Sequence, residues 1–419
     1  MLPTRSANQD TDAELPPSIT PPVADHSQRP LFKPPEAIAS EEERAADHSA
    51  GRGNAAPPKR SLWRFIKNLT KKQKIVAGIT IGVVLIGGGV GVYTLLHPKP
   101  APRPAQKAAV VKKQEPPQPT TMASNLTGLQ VDPAVNQRPV TAVMIENSTD
   151  ARPQSALDQA GVVFEAIAEG GITRFVALFQ DTEPDYIGPV RSARYYYQEW
   201  MLGFDAAYAH VGGSAEALAN TKLWNIKDMD QFANGAFYHR ISSRVAPHNV
   251  YTSMAELRAL ETQKGYTTST YTGFTRLAKE TPVASPSVKS IDFNVSSSYF
   301  NAHYDYDPGT NSYKRSEGGA PHMEIDKNGA QNQIAPKVVI ALITSYSLQA
   351  DGKHSNYQTI GSGKAFIFQN GIMAEATWAK PSRNQNITFT DSSGAPFKLN
   401  PGQTWITALG GADRVAYKP

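Results

Sequence analysis

The chain has 419 residues, 40% of them hydrophobic, with a formal net charge of +5 and no cysteine. Within this sequence the missing thiols exclude disulfides, cysteine nucleophiles, thiolate metal sites and a lipid-bearing cysteine anchor. The basicity sits ahead of the folded part: residues 59–74 hold seven basic and no acidic side chains, whereas residues 122–419 are net −2. Nucleic-acid recognition needs a basic face on a domain, so this distribution argues against nucleic acid as a partner.

In chain order, residues 1–58 are rich in Pro, Ala, Ser and charge, with nine acidic against five basic side chains, and predict a disordered cytoplasmic tail. In residues 59–74, Leu62, Trp63, Phe65, Ile66 and Leu69 interleave with Arg64, Lys67, Lys71 and Lys72. That pattern predicts a basic amphipathic segment on an anionic leaflet. Residues 75–96, IVAGITIGVVLIGGGVGVYTLL, carry no charge. At about 1.5 Å per residue they cover roughly 33 Å, the length of one transmembrane helix. Seven basic residues precede this run and five follow it, which places the N-terminus inside and the folded domains outside. Gly78-x-x-x-Gly82 would let two such helices approach closely, as in a homodimer. Residues 97–124 form a Pro/Lys-rich linker that serves as a stalk.

The remainder predicts an α+β fold: a mixed α/β domain over residues 125–285 and a mostly β domain over 286–419. Val140 to Ile145 reads as a strand, and Ser155 to Asp158 has the capping spacing of a short helix. VVFEAIAEGGITRFVALF predicts two strands about a Gly170-Gly171 turn. In that register Glu165 faces Val176 and Ile167 faces Arg174, so Glu165, Glu169 and Arg174 share one face. Arg191 to Phe204 reads as a helix, and Ala206 to Val211 as a strand. Gly212-Gly213-Ser214 then opens another helix, and Thr252 to Lys264 is a third, stopped by Gly265. From Ile291 onward, short strands alternate with Gly, Pro, Asn and Asp turns.

Four stretches carry a resemblance: RPQSALDQAGVVFEAIAEGGITRF, GPVRSARYYYQEWMLGFDAAYAHVGGS, RVAPHNVY and ATWAKPSRNQNITFTDSSGAPFKLNPGQTWI. In order, over roughly Pro139 to Ala416, they resemble the YerB-like family of bacterial envelope lipoproteins. The resemblance implies a two-domain extracytoplasmic protein and brings no activity with it. The departure is the anchor: family members commonly carry a lipobox cysteine, and here an apolar helix stands in that role.

The candidate chemistry centres on Arg191, Ser192 and Arg194, read as the start of a helix, where free N–H groups and the dipole favour an anion. Arg174, Gly213, Ser214, Arg244 and Asn249 join them as candidate ligand-binding residues. The competing reading pairs the arginines with Glu165 and Glu169 to hold the helix on the hairpin. His210 and His248, with either glutamate, are candidates for acid–base catalysis. No metal-ligand spacing is present, and no cofactor is expected. Gly361-Ser-Gly363-Lys364-Ala365 fails as a P-loop, with Gln358 at the first glycine position and Ala365 at the magnesium hydroxyl. Together these readings give a membrane-anchored module binding an anionic envelope component, a cell-wall glycan or a lipid-linked phosphate. The alternatives are a hydrolase or transferase of envelope polymers and an envelope scaffold.

Overall fold

The structure is a computed structural model that describes residues 120–419 and, ahead of them, only Thr70, Lys71, Lys72, Ile75 and Ile79. Apart from those five residues, the expected tail, juxtamembrane segment and membrane span lie outside the described residues, as does most of the linker. Among the described residues no helix is long and apolar enough to cross a membrane.

Three near-continuous apolar runs form β1 (Thr141–Glu146), β2 (Val162–Glu169) and β3 (Ile172–Phe179). Such runs mark strands covered on both faces, and all three lie inside a ten-stranded sheet. The N-terminal half continues with α1 (Tyr195–Leu202), β4 (Ala207–His210), α2 (Ala215–Leu223), β5 (Lys227–Asp230) and α3 (Met254–Lys264). Gly265 ends α3 in the left-handed conformation, at φ 75°.

The C-terminal half is nearly all strand. β6 (Ser290–Phe293), β7 (Ala302–Asp307), β8 (Ser312–Glu317) and β9 (Ala320–Pro321) belong to a second sheet. β10 (Val338–Ile343) returns to the large sheet, and β11 (Tyr346–Leu348) with β12 (Ser355–Tyr357) makes a separate hairpin. β13 (Gly361–Gln369), β14 (Ile372–Lys380), β15 (Thr388–Thr390) and β16 (Thr404–Leu409) follow. β17 (Val415–Lys418) closes the five-stranded sheet, whose order is β9-β8-β7-β6-β17. The large sheet runs β15-β14-β13-β10-β16-β2-β3-β1-β4-β5. The two halves therefore share one sheet, joined where β16 lies parallel to β2 with Thr404 opposite Val162 and Thr407 opposite Glu165.

On one face of this seam α1 packs through Trp200, whose ring stacks on Phe164 at 5.4 Å. The Tyr197 hydroxyl donates to the Arg174 carbonyl at 2.6 Å and accepts from the Ala166 N–H at 3.1 Å. Both contacts tie α1 to the β2–β3 hairpin. On the other face, Arg315 from β8 is wholly buried against Glu165, Trp405 and Phe175.

Three local expectations need correction. Gly170 and Gly171 do form the hairpin turn, both at positive φ, but a bulge between Ile167 and Glu169 shifts the register. Glu165 then faces Phe175 and Arg174 faces Ala166, so Glu169 and Arg174 stay on the α1 face while Glu165 turns to the opposite one. Helix α1 begins at Tyr195, not at Arg191. The preceding backbone is spent on strand-like bonds: Arg191 N–H donates to the Met144 carbonyl at 2.9 Å, and Val211 N–H donates to the Arg191 carbonyl at 3.0 Å. Ser155 to Asp158 is a turn and not a helix, because Asp158 N–H goes to Glu324 Oε2 and the Ser155 hydroxyl to the Ile325 carbonyl.

Candidate functional site

β1, β4 and β5 run parallel, and the segment before α1 wedges between the carboxyl ends of β1 and β4. The carboxyl ends of parallel strands are where open α/β sheets place ligands. Glu146, the last residue of β1, lies directly across from Arg174 on β3, and the two side chains share the α1 face. A band of charge extends to either side of this pair.

On one side Glu169 accepts from Arg174 Nη2 at 2.7 Å and from Arg194 Nη2 at 2.5 Å. The two guanidinium side chains are 4% and 7% exposed, while the shared carboxylate is 37% exposed. Two nearly buried cations thus share one half-open anion. The Nε–H groups of both arginines have no hydrogen-bond partner among the described residues. Burial alone pushes the Glu169 carboxyl up, and the two guanidinium groups more than offset this, holding it below the usual carboxylate value. Burial and the neighbouring Arg174 charge lower Arg194. His354 Nε2 stands 3.5 Å from Glu169, with Asp351 bonded to its other ring nitrogen.

On the other side Glu146 Oε1 lies 3.0 Å from His248 Nδ1, accepts from the Ser148 hydroxyl at 3.0 Å and lies 3.2 Å from Arg191 Nε. Glu146 orients the imidazole and leaves Nε2 facing Asp150 at 4.0 Å. Ser148 also meets Nδ1, at 3.3 Å. A serine–histidine–acid relay uses the two ring nitrogens separately, so these three residues are not one.

Other sequence candidates fall outside the band. Glu165 is fully buried on the opposite face with Arg315. His210 is buried, its nitrogens engaged by the Gly212 carbonyl at 2.7 Å and Asp228 at 2.9 Å. Asn249 accepts from Arg240 at 2.7 Å, and Arg244 donates to the Asp150 and Pro153 carbonyls, so both hold loops. Ser192 contributes a carbonyl 3.5 Å from Arg174 Nη1. Gly213 bridges to Ala193, and Ser214 caps α2 by accepting from Ala217 N–H at 3.3 Å. Arg191 and Arg194 sit within the band yet pair with different carboxylates, Glu146 and Glu169.

Glu146 is the residue that sequence reasoning missed. Its signal was a carboxylate closing a buried strand, TAVMIE, where nothing requires charge. His354 carried no local signal, since a backbone bridge with Glu169 brings it there from the second half. Among the described residues no cluster of three or more His, Asp or Glu side chains is arranged to hold a metal ion.

Fold and site describe a two-part α+β protein with a continuous sheet and a mixed-charge band at its strand ends. The model of the N-terminal domain of a protein of unknown function, DUF3048, matches residues 126–267, and that of its C-terminal domain matches 291–406. This chain belongs to the DUF3048 family. It is 32% identical over 289 residues to a Bacillus subtilis (strain 168) protein named "Putative lipoprotein YerB", which covers 68% of this chain and 85% of that one. The crystal structure of the YerB protein from Bacillus subtilis matches with a TM-score of 0.63 at 29% identity, over 71% of this chain and 100% of that one. The resemblance to the YerB-like family is thereby shown.

Proposed function

We propose that this chain is a membrane-anchored, extracytoplasmic module that binds an anionic cell-envelope component, a cell-wall glycan or a lipid-linked phosphate. The observation that carries the reading is the pair Arg174 and Arg194 sharing the single carboxylate of Glu169. Guanidinium groups grip carboxylate and phosphate alike. Glu169, half-exposed beside the glycine turn, stands in for the ligand's anion and leaves when that anion arrives. The anchoring half of the reading is supported by the relative's name and by the uncharged run at residues 75–96.

The full chain in detergent, titrated with inorganic pyrophosphate, is expected to gain about 2 °C or more in thermal midpoint at saturation. Glu169→Gln removes the internal competitor and should enlarge that gain, although its own midpoint is lower. Arg194→Gln should abolish it. No pyrophosphate response in the wild type, or the same response in all three proteins, would sink the anion reading. The orientation is tested separately, with a reporter that fluoresces only in the cytoplasm, fused after Pro419. It should stay dark, and a bright fusion reverses the topology.

A further inference from the structure

The two ends of α1 face different chemistry. Arg194 stands at its start in the charged band. Gly203, at its end, opens on a groove of about 470 Å³ between residues 270–273 and the loop that joins β14 to β15. No acidic or basic side chain lines this groove. Thr270, Thr272, Asn384, Gln385 and Asn386 supply hydroxyls and amides, and the ring of Tyr271 adds aromatic surface. The side chains of Thr270, Thr272 and Asn384 make no hydrogen bond among the described residues.

The walls are held in place without a ligand. Lys380, fully buried, donates from Nζ to the Arg383 carbonyl at 2.8 Å and the Gln385 carbonyl at 2.6 Å, fixing the loop from beneath. Burial pushes that ammonium down to about 8, so the loop is held by a desolvated cation with both carbonyls turned to it. Asn386 Nδ2 donates to the Thr272 carbonyl at 3.2 Å and ties one wall to the other. The Tyr271 hydroxyl, bonded to Gln180 at 2.6 Å, sets the ring. A Cβ at Gly203 would come within 2.8 Å of Asn386 Cα, so glycine lets the loop sit this close to the helix end.

We infer that this groove is a binding site for an uncharged oligosaccharide. A site without charge gains nothing from an ionic group, whereas amides and hydroxyls both donate and accept, as sugar hydroxyls require. The aromatic ring offers an apolar face to the C–H side of a pyranose. The volume lies in the range of small-ligand sites, and fixed walls cost little to order on binding. An added peptide strand fits less well, because the adjacent edge strand β15 already accepts the Phe397 N–H at Phe389, 2.8 Å. The inference does not rest on the anion reading.

The test uses the full chain in a detergent without a sugar headgroup, with tetra-N-acetylglucosamine and maltotetraose as probes. Calorimetry and saturation-transfer NMR should show at least one of them binding with a millimolar or tighter constant. Asn384→Trp, on the exposed loop, should fill the groove and weaken binding about tenfold or more, leaving the thermal midpoint and the pyrophosphate response unchanged. Thr272→Trp, on the facing wall, should do the same and serves if the first variant does not fold. The inference falls if neither sugar binds the wild type. It also falls if both variants bind as the wild type does, or if a neutral Gly-Asn peptide binds in place of the sugars.

Discussion

Arg315→Met is expected to cost about 3–5 kcal/mol of folding stability, a large part of the roughly 5–15 kcal/mol that a domain possesses. Arg315 is wholly buried, and its Nη2 donates to Glu165 at 2.9 Å and 3.0 Å. Its Nη1 lies 3.3 Å from Glu317 and bonds His322 Nδ1. The guanidinium plane also lies over the Trp405 ring at 4.8 Å. Burial disfavours this charge, but Glu165 and Glu317 outweigh it and hold Arg315 firmly protonated. Burial, Arg315 and Arg152 together push His322 well down, so a neutral ring accepts from Arg315 and donates to Gln154 at 2.9 Å.

Removing the arginine strands the buried carboxylate of Glu165 at the seam where β16 meets β2 and leaves Glu317, among the described residues, with Arg152 alone as counter-charge, at 3.4 Å. Glu165 would keep Trp405 Nε1 at 3.0 Å and Thr407 at 3.1 Å, neither of them a counter-charge. Urea unfolding should show a correspondingly lower midpoint. Adding Glu165→Gln should recover much of the loss, because removing both partners of a buried ion pair is far cheaper than removing one. A loss below about 1 kcal/mol for Arg315→Met would show that water reaches this network.

The same network marks how far the sequence was legible. β1 to β3 and their glycine turn could be read because continuous apolar runs and a Gly-Gly pair are local signals. The bulge after Ile167 could not be read. It leaves no residue signature, yet it decides that Glu165 joins Arg315 while Glu169 joins Arg174. Partners 150 residues apart in sequence, such as Glu165 and Arg315, stand on different sheets and meet only through tertiary packing. Arg191 and Arg194 misled for a related reason. Their three-residue spacing fits a helix, but tertiary strand bonds claimed the backbone first and sent the two side chains to different carboxylates. The helix itself was legible within the Arg191 to Phe204 stretch because Tyr197 and Trp200, both buried, repeat at helical spacing.

Glu324→Gln should change how stability depends on pH. Glu324 is 5% exposed, and its Oε2 accepts the Asp158 N–H at 2.9 Å. Burial, with the Asp158 carboxyl beside it, pushes Glu324 up to about 10. At neutral pH the folded protein therefore keeps this proton, shared toward Asp158, and the unfolded chain releases it near its ordinary value of 4.5. The folded value is the higher one, so the stabilisation is complete below the unfolded value and is lost as pH rises toward the folded one. Across that window the unfolded state binds fewer protons, and stability falls by up to about 1.4 kcal/mol per pH unit. Glutamine fills the same space without a proton to lose. Its amide N–H can donate to Asp158 and its carbonyl can accept the Asp158 N–H, so the link between the 154–158 turn and the second half survives. Urea midpoints measured at about pH 5, 7 and 9 should show the difference between Glu324→Gln and the wild type shifting steadily in favour of the variant as pH rises. The variant should be the more stable protein at the alkaline end and lose that advantage at the acidic end. Parallel profiles would mean that Glu324 ionises in the folded state as it does in the unfolded one.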